Sequence, residues 1–270
     1  NPVTRGGKTY RFMDSYLGYC SGGNVYAQTT YPERSCGVRA VQDSEPGAVS
    51  NAVQIVQNKN DFGFEGESWW TASYYQWGRK DPFLGSSSIE WDNGYPAAST
   101  LSWPNSEYTS DHIENNNTLA YSIANPTVFL KNGNNEDWYC TNSSYRNDNL
   151  WSSEKTKYDP CPPGWRVPDG YYEYGPWCNF PTQNDWEENW KGMIFGAAYC
   201  GSDAWFPAAG YRWYGDLIDA GSYGYYWSSS LYTDSPSSAY FLVFASNYLS
   251  VSDDFRYRGL SVRPVSATQK

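Results

Sequence analysis

The stretch Ala239-Tyr-Phe-Leu-Val-Phe-Ala-Ser246 constrains the fold more than any other part of the chain. Strand side chains alternate between the two faces of a sheet. Leu242 and Phe244 therefore share one face, and Phe241, Val243 and Ala245 share the other. A strand apolar on both faces is either central, with packed layers on both sides, or leaves an apolar face open. Downstream, Arg258-Gly-Leu-Ser-Val-Arg-Pro-Val265 places Leu260, Val262 and Pro264 on one side and Ser261 and Arg263 on the other. It reads as a closing strand, with Pro264 at its end or at an edge.

Leu and Ile are scarce, so other residues must fill those layers. The chain holds 26 Tyr and 14 Trp, and aromatics make up 19% of its 270 residues. Mean hydropathy is −0.72, yet the aromatics supply buriable surface that a disordered chain lacks. Tyr and Trp bring a large apolar face and a polar handle, so they are the expected core. Together with Ser, Gly and Asn they also dominate binding paratopes. Composition thus leaves two readings open, a β-rich aromatic core and a contact surface.

Net charge is −10, and Lys and Arg form no cluster. That excludes the basic patch needed to neutralise nucleic-acid phosphates, and it disfavours anionic membranes. No signal peptide, lipobox or transmembrane run is visible. The chain begins at Asn1 without Met, as a mature or excised fragment would. The six cysteines Cys20, Cys36, Cys140, Cys161, Cys178 and Cys200 contain no Cys-x-x-Cys pair, and His112 is the single histidine. Zinc therefore has few ligands. An even count at wide spacing points to disulfides and to an extracellular, cell-surface or phage-displayed location. The expected pairing is sequential: Cys20 with Cys36, Cys140 with Cys161, Cys178 with Cys200. Buried thiols are the alternative.

Along the chain, residues 1–20 read as a strand pair and 21–47 as loop. Asn51–Val56 reads as a short helix capped by Ser50. Glu67–Phe83 and residues 136–168 are dense aromatic blocks, expected in the core. Residues 84–118 are turn-rich, within an insertion of about 84–135. Asn184–Lys191 reads as a second short helix. From Trp205 onwards the pattern is short strands and turns. Without an internal repeat, residues 1–270 read as one domain.

No residue pattern supports catalysis. A triad would have to use His112, which lies in the turn-rich region. The neighbouring carboxylates Glu187 and Glu188, or Asp253 and Asp254, point in different directions. No phosphate-binding glycine loop occurs. Asp216, Asp219, Asp234, Asp253 and Asp254 lack an ordered calcium-ligand spacing. The expectation is a non-enzymatic chain without cofactor or metal. In the aromatic run Trp213, Tyr214, Tyr223, Tyr225, Tyr226 and Trp227, Trp227 is expected in the core. Trp213, Tyr214 and Asp216 are expected at the surface. Gly221, Gly224 and Gly259 are expected to serve turns.

Six blocks carry a family resemblance: Phe12-Met-Asp-Ser-Tyr-Leu-Gly18, Tyr74-Tyr-Gln-Trp-Gly-Arg-Lys-Asp-Pro-Phe83, Tyr158-Asp-Pro-Cys-Pro-Pro-Gly-Trp-Arg-Val-Pro168, Pro207-Ala-Ala-Gly-Tyr-Arg212, Gly224-Tyr-Tyr-Trp-Ser-Ser-Ser230 and Gly259-Leu-Ser-Val-Arg-Pro-Val265. In this order they resemble the Fibrobacter succinogenes major paralogous domain of Bacteroidetes surface proteins. The resemblance implies an α+β, β-dominated, C-type-lectin-like (formylglycine-generating-enzyme-like) fold with long loop insertions. The active-site cysteines of formylglycine-generating enzymes have no counterpart after Cys200, and the calcium lectins' Glu-Pro-Asn and Trp-Asn-Asp motifs are absent.

The segment 228–263 also resembles variable proteins diversified by retroelements. On that resemblance Trp227-Ser-Ser-Ser and Gly259-Leu-Ser-Val-Arg are framework. Tyr232, Asp234, Tyr240, Phe241, Val243, Ala245, Asn247, Tyr248, Ser252, Asp253, Asp254, Phe255 and Tyr257 are then variable, ligand-facing positions, joined by Trp213, Tyr214 and Asp216. The implied function is adhesion or ligand binding to a protein or glycan receptor on another cell, a host or a phage target. Neither nucleic acid nor membrane insertion is implied. The alternative is a structural cap or tip of a fimbria or surface lipoprotein.

Overall fold

Gly, Pro, Asn and Ser punctuate this chain every few residues, and its elements are correspondingly short. The computed structural model describes residues 3–5, 8–10, 16–19, 38–39, 52–56, 73–80, 83–84, 91–92, 95–96, 108–109, 118–124, 129–131, 137–161, 164–171, 173–177, 185–188, 191–196, 204–213 and 216–267. β1 (Val3–Arg5) and β2 (Lys8–Tyr10) form an antiparallel pair. β3 (Tyr16–Tyr19), β4 (Val38–Arg39) and β5 (Ala52–Val56) form a sheet with β5 in the middle. β6 (Ser73–Gln76) pairs with β7 (Phe83–Leu84), and β8 (Trp91–Asp92) pairs with β9 (Tyr95–Pro96). β10 (Tyr108–Thr109) and β11 (Phe129–Leu130) run parallel, with helix α1 (Leu119–Ala124) between them in sequence.

The C-terminal half carries β12 (Trp165–Arg166), β13 (Asp185–Glu187), β14 (Gly192–Phe195) and β15 (Ala204–Pro207). These precede β16 (Tyr211–Trp213), β17 (Asp216–Ile218), β18 (Gly224–Leu231) and β19 (Ser238–Ala245). β20 (Tyr248–Phe255), β21 (Gly259–Leu260) and β22 (Val265–Ser266) close the order. The sheets here are β13-β14-β15, β17-β16-β21-β6-β7, β18-β19-β20 and β12-β22. The described structure is thus β-dominated, with little helix. None of its helices is long and apolar enough to cross a membrane.

Both expected helices are strands instead. Val53, Ile55 and Val56 are β-branched, which disfavours a helix and suits a pleated surface. β5 uses both its edges, pairing with β3 and β4. In the second case Trp186 lies opposite Met193 in the β13–β14 ladder, and Trp186 packs on a buried cluster. Sheet pairing overrides the local helical pattern over so short a stretch.

β19 is the central strand that its two apolar faces require. Every residue of β19 is buried, and it lies between β18 and β20. On one face Ala239, Phe241 and Val243 join Tyr74, Tyr75, Trp77, Trp138, Trp151 and Trp227 in the first core cluster. On the other, Tyr240, Leu242 and Phe244 join Phe195, Phe206, Tyr226 and Met193 in the second. The two aromatic blocks supply most of the first cluster. The closing segment is split: β21 joins the five-stranded sheet and β22 pairs with β12, with Pro264 between them.

The expected Cys140–Cys161 bridge is not what the structure holds. Both are buried thiols. Cys140 follows Trp138 and Tyr139 into the first cluster, whereas the Cys161 amide is anchored on the Asp159 carboxylate at 2.8 Å. Burial pushes the Cys140 thiol up to about 11 and raises Cys161 as well, so both stay protonated. Cys20, Cys36, Cys178, Cys200 and His112 lie outside the described residues.

Candidate functional site

Directly opposed residues of an antiparallel ladder share a face. In β19–β20 the register pairs Ala239 with Asp254, Phe241 with Ser252, Val243 with Ser250 and Ala245 with Tyr248. In β18–β19 it pairs Tyr225 with Val243 and Trp227 with Phe241. One face therefore has an apolar floor on β19, flanked by β18 aromatics and by a Tyr-Ser-Ser-Asp row on β20. Phe241, Val243 and Ala245 retain 6% exposure each, while Tyr248 is 47% exposed. β20 ends the sheet among the described residues, so its row is the outward border of this floor.

The β16–β17 hairpin lies against this face, with β16 paired to β21, which follows β20 in the chain. The Tyr211 ring lies 5.0 Å from Tyr225, and Tyr225 lies 5.9 Å from Tyr223 and 5.8 Å from Phe241. Arg258 sits among these rings. Its guanidinium carbon is 4.9 Å from the Trp213 ring centre, 5.1 Å from Tyr211 and 5.8 Å from Tyr257. Its Nε donates to the Asp254 Oδ1 at 3.0 Å. Trp213 and Tyr223 remain well exposed. The result is a surface of rings around one Asp–Arg pair, bordered by hydroxyls.

Burial raises the Asp254 carboxyl above the usual carboxylate range, and Arg258 and the Phe255 N–H only partly offset it. The Tyr211 phenol is raised by burial, against the pull of Arg258. The Tyr225 phenol is raised by burial and by donating to Asp219 Oδ2 at 2.9 Å. The surface offers ring faces, phenol hydroxyls and one carboxyl raised by burial. Among the described residues no group of His, Cys, Asp and Glu side chains gathers to hold a metal.

The sequence-expected residues separate by face. Trp213, Asp216, Tyr248, Ser252 and Asp254 border the surface, with Asn247 exposed in the β19–β20 turn. Phe241, Val243 and Ala245 form its floor and are buried, so as freely presented contacts they are a correction: the first core cluster needs Phe241 and Val243. Tyr257 is 4% exposed and stacks on Phe255 at 5.9 Å, so it too is core. Tyr240 is 5% exposed and belongs to the opposite face, as Asp253 does by register. Tyr232 and Asp234 follow β18 on that opposite side, where Tyr232 packs on the second cluster. Tyr214 lies outside the described residues. Sequence reasoning missed Arg258 and Tyr211. Neither stands out locally, and only the β16–β21 pairing brings them together.

A family model described as Domain of unknown function (DUF8237) matches residues 184–265, a stretch that holds the whole β18-β19-β20 sheet and the ring surface. No curated protein and no solved structure matches the chain.

Proposed function

We propose that this chain is a non-catalytic ligand-binding domain of C-type-lectin-like fold. It presents the Trp213–Tyr225–Arg258–Tyr248 surface to a protein or glycan receptor outside the cell, and the exposed positions of 232–255 are diversified. The observation that carries this function is the contrast between adjacent strands. β19 is wholly buried, while β20 and its turn show Asn247 and Tyr248 to solvent and leave Ser252 half-buried on the same face as Tyr248. A buried strand holds the register and an outer strand tolerates substitution, as a variable binding surface requires. Exposed Tyr and Trp add contact area at low entropic cost, and ring faces stack on sugars. The six family-like blocks support the fold assignment, since most fall on the buried framework rather than on this border.

Sequencing codons 228–263 across a population carrying the gene tests the diversification. Substitutions are expected at Asn247, Tyr248, Ser252 and Asp253, sparing Trp227, Gly259 and Arg263. An invariant segment sinks it. Glycan-array and cell-surface binding by the protein and by its Trp213→Ala and Tyr248→Ala variants tests the surface. Binding that both variants retain in full removes this surface as the site.

A further inference from the structure

We infer that the open edge of β20 pairs with the β20 edge of a second copy of this chain, antiparallel, so that two β18-β19-β20 sheets run on as one. This interface does not depend on the ring surface binding a receptor. Alternate residues of an antiparallel strand aim their N–H and C=O groups to opposite sides. The Arg256 N–H donates to the Ser237 carbonyl at 3.0 Å. In the register that pairs Ala239 with Asp254, it is therefore Asp254, Ser252, Ser250 and Tyr248 that bond β19. Leu249, Val251, Asp253 and Phe255 aim their backbone groups outward. Those of Phe255 are taken within the chain: its N–H donates to Asp254 Oδ1 at 2.7 Å, and its carbonyl accepts from the Arg258 N–H at 2.9 Å. Among the described residues no strand takes up those of Leu249, Val251 and Asp253, and the Ser250 hydroxyl bonds the Val251 carbonyl.

The other side of the same sheet is closed. Along β18 the Trp227 N–H donates to the Ser261 carbonyl at 2.9 Å, the Ser261 N–H to Tyr225 at 3.1 Å and the Ser229 N–H to Pro168 at 2.7 Å. The strands that end the neighbouring sheets, β13, β15 and β17, are three or four residues long, whereas β20 has eight. β20 follows β19 without a bulge and holds no lysine or proline, so two carboxylates at one end are its only guard against edge pairing. Those carboxylates select the partner. A parallel, in-register copy would set Asp against Asp, which is destabilising. An antiparallel copy centred on Val251 sets Ser250 opposite Ser252, Leu249 opposite Asp253 and the exposed Tyr248 opposite Asp254. The carboxylates of the two copies then lie at least about 14 Å apart along the strands, beyond a screening length of about 8–10 Å. Every outward N–H and C=O of Leu249, Val251 and Asp253 gains a partner. The strand thus fits its own reverse, as an isologous twofold contact requires. Opposed residues share a face, so the two ring surfaces flank one seam on the same side and would hold a repeated receptor bivalently.

Sedimentation equilibrium of the whole protein, up to about 1 mM, tests the pairing. One edge contact is a small interface, so a weak, reversible monomer–dimer equilibrium is expected. Asp253→Pro removes an outward N–H that the pairing uses and is expected to weaken the dimer by at least about tenfold, with circular dichroism reporting retention of the fold. Oxidative crosslinking reads orientation and register without that variant. An equimolar mixture of the Ser250→Cys and Ser252→Cys proteins is expected to yield peptides joined between positions 250 and 252. Neither protein alone is expected to join to itself at its new position. A monomer at every concentration overturns the inference, as does a dimer that a folded Asp253→Pro leaves equally tight. Joining of position 250 to 250, in place of 250 to 252, overturns it as well.

Discussion

At the scale of the residue, the aromatic core works because its polar handles are placed. Trp227 Nε1 donates to the Tyr75 carbonyl, Trp77 Nε1 to Ser228, Trp138 Nε1 to Trp77 and Tyr74 Oη to Ala209, all buried. Each ring fills volume and also ties down a buried backbone carbonyl. Trp227→Ala is expected to cost about 3–5 kcal/mol in urea unfolding, whereas Tyr248→Ala at the exposed border stays within about 0.5 kcal/mol. Equal effects would mean that the two positions do not differ as core and surface do.

Tyr74 also sets an alkaline limit. Full burial raises its phenol, while the unfolded chain ionises tyrosine near pH 10. In that window the unfolded state binds fewer protons than the folded state, so stability falls as pH rises. Tyr225 contributes with the same sign. The urea midpoint is expected to hold from about pH 8 to 9 and to decline above about pH 10. Tyr74→Phe is expected to start lower, because the Ala209 carbonyl loses its donor, and to decline less steeply. A mutant decline as steep as the parent's would remove Tyr74 from this role.

At the scale of the element, the β18–β19 ladder depends on a close approach. Gly224 lies opposite Phe244, and a Cβ there would meet the Phe244 ring at 2.1 Å. Gly224 is thus a packing glycine and not the turn residue its neighbours imply. Gly221, at φ +79°, is a turn residue. Gly224→Ala is expected to destabilise by about 1–3 kcal/mol, with partial recovery when Phe244→Leu is added. Additive losses in the double variant would rule out this contact as the cause. The central strand was legible because a period of two with both phases apolar has few solutions. The short helices were misread because a few residues of helical pattern carry little free energy against ladder pairing.

At the scale of the whole molecule, buried cations join distant segments. Arg256 is fully buried over the Trp77 ring at 4.4 Å and pairs with Asp137 at 3.3 Å and Asp148 at 3.0 Å. It links the end of β20 to residues 137–148, which neither charge pattern nor spacing announces. The two described thiols belong to this level as well. Native protein is expected to leave Cys140 and Cys161 unalkylated by iodoacetamide, and unfolded protein to expose both. A peptide map joining Cys140 to Cys161 without reduction would contradict the structure.

The local sequence by itself determined that a central strand exists, that its layers are aromatic, and that Trp227 belongs to them. Those are matters of alternation and of which side chains can leave water. Only the tertiary structure decided which aromatics are core and which are surface. Tyr225, Tyr240, Phe241, Tyr248 and Tyr257 are chemically alike, and their exposure depends on what lies across the sheet. It also decided that the expected contact residues divide between two faces, and that Arg258 stands among rings from β16. Both follow from strand register and sheet order, which are set by long-range pairing rather than by neighbours in the chain.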